Sequence, residues 1–333
     1  CWAADRSSGS AERADRRCWR SRIDLFVAAS AQIERGGAKH FSAVQLMARS
    51  RRVVVACVVE FALRAAAKRR PPMAPMCEPD GMCHESADAP SPRTVYTAKN
   101  AEQKKLWWSW HERLAKTSAA FAPSKRPLLL LGDSITESWL GSSYGEPEKG
   151  RAAGVPAVLE QKFSGFSPLV LAISGDQTQH LLYRFGPGGE LPRGLEKDAV
   201  GVLLIGTNNL GRGHLPNETA RGVVAVVDIV RRHVKRLVVV ELLPRDDYWV
   251  LPRLCPPRCD RRGRPFPSFA PAIAKTNAFV RAALSSREGV VVVDCAAPFL
   301  DARGEVRQDR MPDRLHPNAN GMGLLADCVL EHL

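Results

Sequence analysis

Short apolar runs recur along the C-terminal two thirds of the chain, each with the length of a β-strand. The five runs are Leu128–Leu131, Leu169–Ile173, Val200–Ile205, Leu237–Leu242 and Val290–Val293. They are aliphatic and show no alternation of polar with apolar residues. This pattern is typical of parallel strands that helices cover on both faces.

Segments with helical periodicity separate and follow these runs. They span about Ala153–Phe163, Thr178–Phe185, Glu218–Val234, Ala270–Leu284 and Gly321–His332. Because β and α elements alternate, the sequence predicts an α/β protein with a five-stranded parallel sheet and right-handed crossovers. The resulting architecture is a three-layer α/β/α sandwich.

A further helix is predicted before the first strand. Asn100 caps it, and Leu106, Trp107, Trp110 and Leu114 recur at helical spacing. We interpret the tryptophans as core residues that pack on the edge or one face of the sheet.

The N-terminal region differs in composition from the rest of the chain. Residues 1–72 carry 15 Lys and Arg against 6 Asp and Glu, whereas the other 261 residues carry 33 against 29. We interpret residues 1–72 as a basic leader that is disordered, a targeting segment or a gene-model extension, residues 73–99 as a linker, and residues 100–333 as the α/β domain. The net charge of +13 therefore does not indicate nucleic-acid binding by this domain.

The nine cysteines are irregularly spaced. Cys295 and Cys328 lie in apolar contexts and are interpreted as buried small hydrophobic side chains. Cys255 and Cys259 have room for a metal clip or a disulfide but lack a second ligand pair, which favours free thiols. We expect a reducing compartment, the cytoplasm, or an organelle if residues 1–72 are a transit peptide. No apolar run reaches the roughly 18 residues of a membrane span.

Small polar blocks follow the first three strands. They are Gly132-Asp133-Ser134, Ser174-Gly175-Asp176 and Gly206-Thr207-Asn208-Asn209, and a fourth block, Asp313 to His316, lies near the C-terminus. The carboxyl ends of parallel strands meet at one sheet edge, where open α/β sheets bind their ligands. We therefore expect the four blocks to converge there.

Together these blocks supply the parts of a serine nucleophile site. Ser134 is the predicted nucleophile, His316 its base and Asp313 the group that orients the base. The backbone N–H groups of Ser134 and Gly175 and the side-chain amide of Asn208 are the predicted oxyanion-hole donors. Taken singly, each signal has another explanation: Ser134 could be a helix cap, the Asn208 block a turn, and His316 a surface residue.

The four blocks resemble those of the SGNH (GDSL-type) hydrolase superfamily, and within it those of the platelet-activating-factor acetylhydrolase α-subunit type. The segments that carry the resemblance are LLGDSITESW, ISGDQTQHLLYRF, LLIGTNN, VVVELLPR and DRLHPNANGMGLLA. The resemblance covers about residues 100–333.

The resemblance implies a flavodoxin-like sandwich and a serine esterase without cofactor or metal that cleaves short acyl esters, such as acetyl esters. The expected partner is a small-molecule ester, either an acylated lipid or an acylated sugar. A carbohydrate O-deacetylase and a non-catalytic binding protein with the same fold are the alternatives. Neither nucleic-acid binding nor an integral membrane segment is expected. A homo-oligomer is possible, but no feature of the sequence indicates one.

The sequence departs from the family pattern at two places. Ile135 stands where the GDSL motif has Leu, a conservative change. An insertion of about Asp246–Ser268, rich in Arg, Pro and aromatic residues, follows the fourth strand. It is either a lid for an anionic or amphiphilic substrate or, as we favour, a solvated loop.

Overall fold

The computed structural model describes residues 85–93, 101–247 and 262–333. The predicted leader 1–72, the Asn100 cap and the Cys255/Cys259 pair lie outside these ranges. The helices are α1 (Ala101–Ala119), α2 (Ser134–Glu137), α3 (Val155–Lys162), α4 (Thr178–Phe185), α5 (Thr207–Gly211), α6 (Pro216–Val230), α7 (Ala270–Leu284) and α8 (Ala319–Leu330). The strands are β1 (Arg126–Gly132), β2 (Ser142–Ser143), β3 (Glu146–Pro147), β4 (Phe166–Ala172), β5 (Val200–Leu204), β6 (Arg236–Val240) and β7 (Val290–Val293).

Five of these strands form one parallel sheet in the order β4-β1-β5-β6-β7. The predicted α/β class and five-stranded parallel sheet are therefore confirmed. The strand order reverses at β1, which makes its carboxyl end a topological switch point, the place where doubly wound sheets bind ligands. Strands β2 and β3 form a separate antiparallel pair just after the first block.

The sheet is apolar on both faces because alternate side chains of each strand point into different cores. In β1, Leu129 and Leu131 join a core formed with α1, α4, α6 and α7. Leu128 and Leu130 join a second core formed with α3 and α8. The uninterrupted aliphatic runs of the sequence thus reflect burial on two faces.

The predicted helix before β1 packs against the edge strand of the sheet. Trp107 and Trp110 are buried in the first core. The Trp110 indole Nε1–H donates to the carbonyl of Ala172 at the end of β4 (3.1 Å). These tryptophans are core residues, as the periodicity predicted.

Local capping explains where two helices depart from their predicted limits. Helix α6 begins at Pro216, two residues earlier than expected, because Glu218 accepts a hydrogen bond from the Leu215 N–H (2.8 Å) and closes a cap there. Helix α8 begins at Ala319 because the Asn318 side chain accepts from the Gly321 N–H (3.1 Å).

Residues 85–93, which fall within the predicted linker, pack directly on the sandwich. The Thr178 hydroxyl donates to the carbonyl of Ala87 (2.7 Å), and the Ser91 N–H donates to the carbonyl of Gln179 (3.0 Å). Arg93 is 2% exposed. This stretch therefore adds buried contacts to the fold upstream of the predicted domain start.

The interpretation of Cys295 and Cys328 as separate buried side chains is wrong, because the two form a disulfide. The fold brings Cys295, the second residue after β7, beside Cys328 in α8, with the two Cα atoms 5.9 Å apart. Their apolar sequence contexts indicated burial but carried no information about this proximity. The disulfide also weakens the argument for a reducing compartment, which rested on unpaired cysteines.

Within the three described ranges, no helix is both long and apolar enough to cross a bilayer.

Candidate active site

Ser134 is presented by a tight connection between β1 and α2. A Cβ at Gly132 would lie 2.3 Å from the Thr136 hydroxyl oxygen and 2.4 Å from the Leu204 carbonyl oxygen, so only glycine fits there. The Asp133 carboxylate accepts from the Ile135 N–H (3.0 Å) and caps the helix. Ser134 is the first residue of α2, so its own N–H has no acceptor within the helix.

The three predicted triad residues lie within hydrogen-bond distance of one another. Ser134 Oγ is 2.8 Å from His316 Nε2, and His316 Nδ1 is 2.6 Å from Asp313 Oδ2. Asp313 Oδ1 also accepts from the backbone N–H groups of Leu315 (3.0 Å) and His316 (2.7 Å). The fold thus brings Ser134 and His316, which are 182 residues apart in sequence, within hydrogen-bond distance.

The Asp313 carboxylate fixes the tautomer of the neutral imidazole. Partial burial alone would raise the pKa of Asp313, but the hydrogen bonds from the His316 ring and the two backbone N–H groups lower it to about 2. The carboxylate is therefore an acceptor only, and His316 Nδ1 must carry a proton. Nε2 is then left as an acceptor that faces Ser134.

Burial lowers the pKa of His316 below its ordinary value, and the nearby positive charge of Arg151 lowers it further. The hydrogen bond with Asp313 opposes this shift. His316 is 8% exposed. The imidazole is consequently neutral at neutral pH, the form that can accept a proton.

Gly175 lies at the predicted second donor position, in a left-handed conformation with φ of +77°. A Cβ at this residue would lie 2.8 Å from Arg93 Nη2 and 3.3 Å from the Tyr144 hydroxyl. Both its conformation and its neighbours therefore require glycine. The Gly175 N–H donates to no acceptor within the described residues.

The turn that carries Gly175 is held by a buried glutamate on α2. Glu137 Oε2 accepts from both the N–H and the hydroxyl of Ser174 (2.7 Å each). Its Oε1 accepts from the hydroxyl of Ser142 (3.0 Å) and the N–H of Gly145 (2.8 Å). Glu137 thereby links the helix that presents Ser134 to the second block.

The predicted third donor, Asn208, lies in the first turn of α5 and faces the other two blocks. Its amide Nδ2 donates to the Asp176 carbonyl (2.9 Å) and, at 3.3 Å, to Asp133 Oδ2. Both amide hydrogens thus have protein acceptors, and the longer bond to Asp133 is the one an oxyanion could replace. Burial raises the pKa of Asp133 to about 7, with the Asp176 charge adding to the effect.

A buried ionic cluster lies behind the second block. Arg184 Nη1 donates to Asp176 Oδ2 (2.7 Å), and its Nε donates to Glu190 Oε2 (2.9 Å). The Trp107 indole N–H donates to the other Asp176 oxygen (2.7 Å), and His111 Nδ1 lies 2.6 Å from Glu190. These bonds hold Asp176, the residue after Gly175, in place from the buried side of the turn.

The loop that carries Asp313 and His316 is tied to the start of the predicted insertion. Arg314, between them, has a left-handed φ of +61°. Its Nη1 donates to the Asp246 carboxylate (2.7 Å), and its carbonyl accepts from the Asp246 N–H (3.0 Å). Residues 248–261, which include most of the predicted insertion, lie outside the described residues.

Sequence reasoning missed three residues that border this site: Arg93, Glu137 and Arg151. Arg151 Nη1 lies 3.1 Å from His316 Nε2, and its Nη2 donates to Ser174 Oγ (3.0 Å). None of the three belongs to a strand-end block, and a charged residue in a loop or helix normally faces solvent. The described residues contain no group of three His, Cys, Asp or Glu side chains arranged to hold a metal ion.

The sandwich thus brings Ser134, His316 and Asp313 together at its switch point, where open α/β sheets bind their ligands. The chain belongs to the GDSL-like lipase/acylhydrolase family, whose model matches residues 130–324. It is therefore a hydrolase of ester bonds.

Similar proteins of known sequence are platelet-activating factor acetylhydrolase IB subunits. Subunit alpha1 of Bos taurus is 27% identical over 212 residues, which cover 63% of this chain and 75% of the relative. Subunit alpha2 of Rattus norvegicus is 25% identical over 228 residues, covering 68% and 82%. A solved structure of a candidate platelet activating factor from Streptococcus pneumonia has a TM-score of 0.50 and 20% identity, covers 68% of this chain and 92% of its own, and supports the fold alone.

Proposed function

We propose that this protein is a serine esterase in which Ser134 is the nucleophile, His316 the general base and Asp313 the residue that orients the base. The observation that carries the proposal is the pair of short contacts from Ser134 Oγ to His316 Nε2 (2.8 Å) and from His316 Nδ1 to Asp313 (2.6 Å). A nucleophile, a neutral base and a fixed tautomer are the requirements for attack by a serine hydroxyl.

In the proposed reaction, Ser134 Oγ attacks the ester carbonyl while His316 Nε2 takes the hydroxyl proton. The N–H groups of Ser134 and Gly175, with the Asn208 amide, donate hydrogen bonds to the tetrahedral oxyanion. His316 then protonates the departing alcohol, and an acyl-serine forms. Water, deprotonated by His316, attacks the acyl-serine, and the carboxylic acid leaves with Ser134 restored.

The acyl group in this proposal is short, such as acetyl, and the substrate is a small acylated lipid or sugar. The names of the acetylhydrolase relatives support an acetyl ester. The alcohol is not fixed by the triad, because the triad acts only on the acyl carbon and the leaving oxygen. A carbohydrate O-deacetylase would use the same residues.

We also retain the domain division of the sequence as a proposal, with a basic leader at 1–72, a linker at 73–99 and the catalytic domain at 100–333. The buried contacts of residues 85–93 support one refinement, which is that the stably folded unit includes the chain from Glu85 onward. A truncated protein that starts at residue 101 should be less stable than one that starts at residue 85, as measured by thermal unfolding.

The test is a panel of p-nitrophenyl esters of increasing chain length, acetylated sugars and an acetylated ether lipid, assayed with wild-type protein and Ser134→Ala. Loss of a triad serine lowers kcat by about a million-fold. Ser285→Ala, at an exposed serine, is the matched control and should retain full activity. If Ser134→Ala kept more than about one ten-thousandth of the wild-type kcat, another nucleophile would have to be assigned.

A further inference from the structure

Arg151 spans the space between the proposed base and the turn that carries Gly175. Its Nη1 reaches His316 Nε2 at 3.1 Å, and its Nη2 donates to Ser174 Oγ at 3.0 Å. An ester carbonyl that is attacked by Ser134 and held by the Gly175 N–H must enter the same region. Arg151 is thus a positive group placed directly beside the reacting atoms.

In this position Arg151 competes with Ser134 for a single acceptor. Neutral imidazole with a proton on Nδ1 has one lone pair, on Nε2. The Ser134 hydroxyl (2.8 Å) and Arg151 Nη1 (3.1 Å) are both donors within reach of it. The serine is activated only when its own hydroxyl holds that lone pair, so catalysis requires the guanidinium to turn to another acceptor.

Arg151 forms no ion pair with a carboxylate among the described residues, although its charge lowers the pKa of the buried Asp133 from a longer distance. No carboxylate of the described ranges forms an ion pair with it within 4.0 Å. Its Nε is buried and without a hydrogen-bond partner within the same ranges. The half-buried Arg151 guanidinium thus has an unused donor and bonds only to a neutral imidazole and a hydroxyl. It therefore retains most of its capacity to bind an anion.

We propose that Arg151 determines substrate specificity by binding an anionic group of the ester, which draws the guanidinium away from His316 Nε2. The proposal rests on the proposed esterase function and adds a substrate class to it: small esters that bear a carboxylate or a phosphate close to the scissile bond. Binding of such a substrate and release of the base then occur in one step. A neutral ester meets a base that is still shared with Arg151.

The test compares acetyl esters of similar size that differ in charge. Methyl 2-acetoxybenzoate is neutral, 2-acetoxybenzoate carries a carboxylate next to the ester, and 2-acetoxyphenyl phosphate carries a phosphate there, so the last two distinguish the anion. Each is assayed with wild-type protein, Arg151→Gln and Arg151→Lys. Because the leaving groups differ intrinsically, the quantity compared between variants is the ratio of kcat/KM for the anionic ester to kcat/KM for the neutral ester.

Arg151→Gln should lower this ratio by about 10- to 100-fold, the range that a hydrogen bond to a charged group provides. The change should arise from a higher KM for the anionic ester and a higher kcat for the neutral ester, because the base is no longer shared with Arg151. Arg151→Lys, which keeps the charge, should recover part of the ratio. Lys149→Gln removes the same charge from an exposed position in the same loop and should leave the ratio at its wild-type value.

A binding measurement separates this proposal from the proposed reaction. Ser134→Ala protein is titrated with 2-acetoxybenzoate in a calorimeter, with and without Arg151→Gln, so that no turnover is needed. Weaker binding in the double variant supports the role of Arg151 even if no ester were hydrolysed by the wild type. An unchanged kcat/KM ratio in Arg151→Gln, or equal binding by the two Ser134→Ala proteins, would overturn it.

Discussion

Glu137 offers the sharpest test of how the second block is held in place. The residue is fully buried, and its two oxygens accept four hydrogen bonds, two on each oxygen. In Glu137→Gln one oxygen becomes an amide NH₂ donor. The hydroxyls of Ser142 and Ser174 can rotate to accept from it, but a backbone N–H cannot. Whichever way the amide turns, the N–H of Ser174 or of Gly145 loses its acceptor.

The magnitude follows from these contacts. A buried donor without an acceptor costs about 1–3 kcal/mol, and a lost hydrogen bond to a charged group removes about 1.5–3 kcal/mol. Since the two effects overlap at one N–H, we expect the free energy of unfolding to fall by about 2–5 kcal/mol. If the amide faces Ser174, the Gly175 donor also shifts, and kcat should fall by up to about 10²- to 10³-fold, as for loss of one oxyanion donor.

The assay pairs urea denaturation with steady-state hydrolysis of p-nitrophenyl acetate. Ser174→Ala removes the hydroxyl that donates to Glu137 and accepts from Arg151, but it keeps the Ser174 N–H bond and leaves no backbone donor unpaired. It should therefore lose less than Glu137→Gln, about 1.5–3 kcal/mol. Glu146→Gln, at a glutamate whose side chain is 65% exposed, is the control and should change neither quantity. An unfolding free energy within about 0.5 kcal/mol of wild type, together with unchanged kcat in Glu137→Gln, would refute the reasoning.

Three further predictions concern the base, the buried cluster and the disulfide. His316 acts as a base when neutral and its pKa is lowered, so kcat/KM should fall only below about pH 6.5, and an acidic limb above about pH 7 in wild type would contradict the assignment. Arg151 and Arg245 lower the pKa of His316, and Asp313 raises it. Arg151→Gln should therefore move the acidic limb of the pH–rate profile to higher pH. Arg184→Met removes the arginine that pairs with two buried carboxylates, Asp176 and Glu190, and should lower the unfolding free energy in urea by about 3–5 kcal/mol. A loss under about 1 kcal/mol would be evidence against the cluster. The Cys295–Cys328 disulfide closes a segment with a sequence separation of 33 that contains His316, so dithiothreitol should lower the free energy of unfolding by about 3–4 kcal/mol. An equal response of the Cys295→Ser protein to dithiothreitol would show that this disulfide is not the cause.

The sheet could be predicted because burial on two faces leaves a direct mark on the sequence. The run Val290–Val293 is a strand to the residue, and the other four runs overlap their strands with ends that differ by up to three residues. Inside a sheet between two helical layers a parallel strand has few polar positions. The block positions followed from topology, because residues that end neighbouring parallel strands must lie at one edge. Ser134, Gly175 and Asn208 could therefore be grouped without any contact being known.

What could not be predicted depends on side chains that meet only in the folded chain. A glutamate in a helical segment, such as Glu137, is normally expected to face solvent. Nothing near it in the sequence indicates that Ser174 is its hydrogen-bond partner. The approach of Arg151 to His316 and the pairing of Cys295 with Cys328 are likewise set by how loops pack. The two hydrogen bonds that the Asn208 amide donates also depend on the side-chain rotamer that Asn208 adopts in the fold.

The proposal that Ser134 is the activated nucleophile is tested most directly by covalent labelling. Folded protein is treated with a fluorophosphonate probe, digested, and analysed by mass spectrometry, with Ser134→Ala and His316→Ala in parallel. We expect a single adduct on Ser134 that is absent in Ser134→Ala and formed much more slowly in His316→Ala. No adduct on Ser134 in active wild-type protein, or labelling at another serine that abolishes activity, would contradict the assignment of Ser134 as the nucleophile.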